Sequence, residues 1–105
     1  MSQISVQELK DLLDGDREVQ LIDIREIHEV DSGTIGGTHI PMAHLLERSV
    51  EIRKDIPVVI YCKSGSRASA MVHILRQEFS FQNVHLLKGG IEAWAKEIDP
   101  RVIVY

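Results

Sequence analysis

The chain has 105 residues, 44% hydrophobic and 27% charged, with a formal net charge of -4. That is room for one domain around one core, residues 1–105, with the composition of an ordinary soluble globular protein. The acidic balance excludes a general binder of nucleic acid or anionic membrane surface, and no apolar run approaches the roughly 20 residues that span a bilayer.

Met1-Ser2-Gln3-Ile4 lacks the basic and apolar regions of a secretory leader, so the expected location is the cytoplasm. Ser5-Val6-Gln7-Glu8 reads as a capping box, with Leu9, Leu12 and Leu13 on one face of the helix that follows and Gly15 as its stop. Val19 to Ile24 is short and apolar and predicts a buried strand, followed by a brief helical segment over Glu26 to Val30. The run 31–38 is rich in turn residues and Ile40-Pro41 closes it, while Met42 to Lys54 carries apolar residues at loose helical spacing. Val58 to Tyr61 is the clearest strand, and it runs directly into Cys62-Lys63-Ser64-Gly65-Ser66-Arg67. A helix is expected from about Ser66 to Glu78, a strand over Val84 to Leu87, and a last helix opened by Gly89-Gly90 and bearing Ile91, Trp94 and Ile98. Arg101 to Tyr105 reads as a terminal strand or an extended arm. Alternating strands and helices with short connections predict an α/β fold, a mainly parallel central sheet with helices on both faces.

Ligands of such sheets bind beyond the carboxyl ends of the strands, where Cys62 falls. It is the only cysteine, so no intrachain disulfide can form. A lone cysteine is commonly a small buried hydrophobe. Here it stands between a strand and a helix N-terminus whose unpaired amides favour anions, and Gly65 lets successive amides turn inward. Lys63 and Arg67 add positive charge at the same mouth, and all of these stabilise a thiolate over a thiol. Asp23 and Arg25 end the first long strand on the same edge, as an ordinary ion pair or as supports of the site. The five histidines, His28, His39, His44, His73 and His85, have no metal-site spacing, none is marked as a partner for Cys62, and no cofactor is implied. Trp94 reads as core, and the two Gly-Gly pairs as turn and helix-start devices.

Tyr61-Cys62-Lys63-Ser64-Gly65-Ser66-Arg67-Ala68 resembles the active-site loop of rhodanese-like domains, Y-C-x-x-G-x-R followed by Ser or Ala. Leu21-Ile22-Asp23-Ile24-Arg25, with Glu29, Gly33, Ile35, Gly37 and Ile40-Pro41, is similar to that family's upstream signature. Leu87-Lys88-Gly89-Gly90-Ile91-Glu92-Ala93-Trp94 is similar to its closing one. Thr34, Gly36 and Thr38 depart from the pattern, where His, Pro and Ala are frequent, and leave the shape of the upstream loop open.

The resemblance implies a thiosulfate sulfurtransferase in which Cys62 carries sulfur as a persulfide, held by Lys63, Ser64, Gly65, Ser66 and Arg67 and supported by Asp23 and Arg25. The donor would be thiosulfate or a protein persulfide, since the loop of mercaptopyruvate-using relatives lacks the two cations; the acceptor would be a thiol or cyanide. With no second cysteine, the acceptor must be external. Related dual-specificity phosphatases place five residues between cysteine and arginine where this chain has four, which favours sulfur over phosphate. A docking or regulatory module without catalysis is the third alternative, usual where the nucleophile is missing. Trp94, Ile98-Asp99-Pro100 and the final Tyr105 resemble the rhodanese domain that ends adenylyltransferases activating ubiquitin-like sulfur carriers.

Overall fold

In the computed structural model, which describes residues 2–104, five parallel strands form one sheet in the order β1-β5-β4-β2-β3. They are β1 (Gln3–Ile4), β2 (Gln20–Asp23), β3 (Thr38–His39), β4 (Val58–Tyr61) and β5 (Val84–Leu87). Between them run α1 (Val6–Asp14), α2 (Ile27–Ser32), α3 (Met42–Leu45), α4 (Ser66–Glu78) and α5 (Gly90–Glu97). Among the described residues no helix is long and apolar enough to cross a membrane.

β4 is the middle strand because all four of its residues are apolar enough to be buried on both sheet faces. Its side chains alternate. Val58 and Ile60 join Ile22, Val84, Leu45, Val72 and Leu75 beneath α3 and α4, while Val59 and Tyr61 join Leu21, Leu87, Leu9, Ile91 and Trp94 beneath α1 and α5. Cys62 continues the alternation and turns to the α4 side. The Ser5–Glu8 capping box forms at 2.9 and 3.0 Å, and α4 has the predicted bounds.

The structure adds to or alters the sequence reading in several places. Gln3–Ile4 is an edge strand, and the turn-rich run contains the end of α2 and leads into the two-residue β3 at Thr38. Met42 to Lys54 forms only α3 and a 3₁₀ turn at Ser49–Glu51, because its apolar residues do not keep one helical face inward: Val50 is among the most exposed hydrophobics. Of the two readings of the tail, the strand does not form among the described residues; Val102 and Val104 pack on the α1/α5 cluster, and Tyr105 lies outside the described residues.

Candidate active site

β4 delivers Cys62 to the carboxyl edge of the sheet, and the chain then turns into α4 through Gly65 at φ +107, a left-handed value that favours glycine. The turn aims two amides of the helix start at the sulfur: Gly65 N–H donates to Cys62 Sγ at 3.1 Å and Ala68 N–H at 3.4 Å. These would otherwise be unpaired donors of the first turn of α4. The cysteine is 0% exposed, at the floor of this cradle. The exposed Ser64 and Ser66 form its rim, with their hydroxyls 3.4 Å apart.

A second helix holds the loop from behind. Ile91 N–H donates to the Cys62 carbonyl at 2.9 Å and Glu92 N–H to the Lys63 carbonyl at 3.0 Å, so the first turn of α5 takes up the oxygens of the loop. Gly90, at φ +61, makes this approach possible, since a Cβ there would lie 2.4 Å from the Lys63 oxygen and 2.5 Å from that of Cys62. With its carbonyls turned to α5, the loop presents its amides to the sulfur.

β2, next to β4, ends in a buried ion pair. Arg25 is 0% exposed and Asp23 1%. Arg25 Nη2 donates to Asp23 Oδ2 at 2.8 Å and to the Gly33 carbonyl at 2.8 Å, and Nε to Asp23 Oδ1 at 3.0 Å. Burial opposes its charge, but the Asp23 hydrogen bonds and charge outweigh burial and hold the guanidinium above its ordinary pKa. Arg25 also lies 5.8 Å over the Tyr61 ring. The Tyr61 hydroxyl donates to the Gly36 carbonyl at 3.0 Å and lies 2.9 Å from Thr34 Oγ1, and burial pushes it upward. Two of the three departures from the family pattern therefore close the upstream loop onto β4.

Arg67 follows the rim on α4 but is not open to solvent on all sides. Its Nη1 and Nη2 donate to Glu29 Oε1 and Oε2, each at 2.8 Å, in a two-pronged pair. Glu29 is 8% exposed, and its Oε1 also accepts from Glu26 N–H at 3.1 Å. The Arg67 hydrogen bonds hold its carboxyl at about 2, against an ordinary 4.5. Lys63 is half-buried and has no ion pair among the described residues.

The sequence-predicted residues thus fall into two groups: Cys62 to Arg67 in the loop after β4, and Asp23 with Arg25 at the end of the neighbouring strand β2. Sequence reasoning missed the holding role of Glu29, the Ala68 amide and the α5 clamp. Glu29 had one signal, its place in the upstream family signature, but its spacing from Glu26 reads equally as a helix cap, which it also is. Among the described residues no histidine hydrogen-bonds Cys62; His73 is exposed on α4 beside Ser69 and Gln77. No group of three His, Cys, Asp or Glu among them is placed to hold a metal ion.

A cysteine at a strand end, faced by helix-start amides, places the chain in a class: α/β domains with a parallel sheet and an amide-lined cysteine loop at its carboxyl edge. The model of the rhodanese-like domain matches residues 5–97, and the chain belongs to that family. It is 34% identical over 102 residues to the putative sulfurtransferase YtwF of Bacillus subtilis, covering 96% of this chain and 97% of that one. It is 38% identical to the probable adenylyltransferase/sulfurtransferase MoeZ of Mycobacterium tuberculosis, across 99% of this chain but only 27% of MoeZ. The crystal structure of a rhodanese-related protein from Thermoplasma volcanium superposes over all of both chains with a TM-score of 0.83 at 26% identity. Family and relatives together support sulfur transfer.

Proposed function

We propose that the chain is a thiosulfate-type sulfurtransferase that carries sulfane sulfur as a persulfide on Cys62. The observation that carries this reading is the pair of amides, Gly65 and Ala68, aimed at Sγ inside a four-residue loop. Their geometry suits a sulfur bearing negative charge, whether thiolate or terminal persulfide. The Cys62 thiolate attacks the outer sulfur of thiosulfate, forming Cys62–S–S⁻ as the S–S bond of the donor breaks and sulfite leaves with the bonding electrons. An acceptor thiolate or cyanide then attacks the outer persulfide sulfur and restores the thiolate, giving double-displacement kinetics.

Lys63 draws the anionic donor to the mouth, the loop amides hold the transferred sulfur, and Asp23 with Arg25 supports the β2 end. Because Cys62 is fully buried, the Ser64–Ser66 rim moves aside as donor and acceptor enter, which suits slender sulfur compounds. An external acceptor is required, since the chain has one cysteine. The commitment of Arg67 to Glu29 weighs against the phosphatase alternative, in which that arginine would face a phosphate.

Intact-mass measurement after thiosulfate treatment tests the proposal. The mass should rise by about that of one sulfur atom, return on adding cyanide, and stay constant in Cys62→Ser. An unchanged natural protein under thiosulfate, organic thiosulfonate and glutathione persulfide alike would sink it.

A further inference from the structure

We propose that Glu29 sets the charge selectivity of the Cys62 cradle by withholding the Arg67 guanidinium from incoming donors. The inference rests on the sulfur-transfer reading and narrows its substrate class. The Arg67 guanidinium, on the first turn of α4 and paired with Glu29, interacts electrostatically with Cys62, so its charge bears on an anion arriving at the sulfur. Both of its terminal nitrogens nevertheless donate to Glu29, at 2.8 Å each, which fixes the plane of the guanidinium against that carboxylate. Glu29 in turn is fixed by the Glu26 amide and by burial. The lock is therefore built from the helix-cap side, and Arg67, about a third exposed, is the partner free to move.

A charge count around the sulfur sharpens the point. Asp23 pairs with Arg25 and Glu29 with Arg67, so of the cations in the Cys62 loop and at the β2 end Lys63 is the one without an ion pair among the described residues. Two free cations would favour a small dianion such as thiosulfate over a sulfane sulfur carried on a thiol, which brings less charge. With one of the two masked, that preference is reduced. Glu29 is thus a specificity-determining residue that narrows the advantage of thiosulfate and lets thiol-borne persulfides compete as donors, without touching the reacting atoms.

Two alkylating agents that differ in charge and little in shape, iodoacetate and iodoacetamide, test the lock on the full-length protein. Glu29→Gln keeps an oxygen for the Glu26 amide while removing the charge. The ratio of Cys62 alkylation rates, iodoacetate over iodoacetamide, should rise about threefold to tenfold in this variant. The thiosulfate KM should fall by a similar factor, kcat should change less, and both gains should shrink as salt is raised. Glu29→Gln combined with Arg67→Gln should return the ratio to near its natural value.

An unchanged or lowered ratio in Glu29→Gln overturns the proposal, and so does a gain that survives in the double variant. Should Glu29→Gln not fold, Lys63→Ala gives the second reading. If Arg67 is withheld, this change removes nearly all the salt dependence of the iodoacetate rate; a residual slope near half the natural one shows Arg67 exposed and refutes the lock. The alkylation ratio needs no sulfur transfer. A protein that takes no sulfur from any donor refutes the functional reading while leaving the lock separately measurable.

Discussion

Among the described residues, Arg25 is the largest side chain with no exposure to solvent. A guanidinium is tolerated there because its donors meet Asp23, the Gly33 carbonyl and, at 3.4 Å, the Glu29 carbonyl. No buried side-chain nitrogen or oxygen among the described residues lacks a partner. The pair need not add stability over an apolar pair of the same shape, but breaking it strands a charge. Asp23→Ala should therefore cost about 3–5 kcal/mol in urea unfolding, a large share of the stability of a domain this size. A cost within about 0.5 kcal/mol would mean that Arg25 escapes to water. The presence of Asp23 and Arg25 at the end of β2 was legible in the sequence, since both end an apolar run on the edge that bears Cys62. The Glu29–Arg67 pair was not, because the two partners lie 38 positions apart and nothing in either segment marks the other.

At the scale of elements, the cradle depends on two helix starts working from opposite sides, α4 on the sulfur and α5 on the carbonyls of the loop. Gly90→Ala tests the second. The added Cβ must displace the Cys62–Lys63 carbonyls, so sulfur transfer should fall about tenfold or more, with a stability loss of about 1–3 kcal/mol. Gly36→Ala is the contrast. It also sits at positive φ, +97, but a Cβ there meets nothing within 4 Å, so only backbone strain of about 1–2 kcal/mol is expected and transfer by the folded protein should persist. Thermal unfolding and thiosulfate turnover measured on both variants separate the effects. β2, β4, β5, α1 and α4 were readable because each carries its own apolar run, capping box or stripe. β1 and β3 were not. Each has only two residues and polar content, and each is a strand only because β5 or β2 offers it hydrogen-bond partners.

For the whole molecule, the site draws on segments far apart in the chain: 23–29 from the end of β2, 62–68 after β4 and 90–92 at the start of α5. They meet because β5, β4 and β2 are adjacent in the sheet. The clusters on the two faces share β4, with Trp94 on one and Cys62 on the other. Loss of Trp94 fluorescence and loss of sulfur transfer should consequently show the same urea midpoint, as cooperative unfolding of one domain requires. A transfer midpoint clearly below that of the fluorescence would instead mean that the cradle opens on its own. The α5 clamp has one more consequence. The amides that donate to the sulfur and those of α5 that hold the Cys62 and Lys63 carbonyls belong to the main chain, and the side chains of Lys63, Ser64 and Ser66 take no part in these bonds. Exchanging Lys63, Ser64 or Ser66 should therefore leave the setting of Cys62 unchanged. Reactivity and taste are inherited separately, which makes such a domain portable: it can stand as nearly a whole protein, like YtwF, or make up about a quarter of a larger one, like MoeZ.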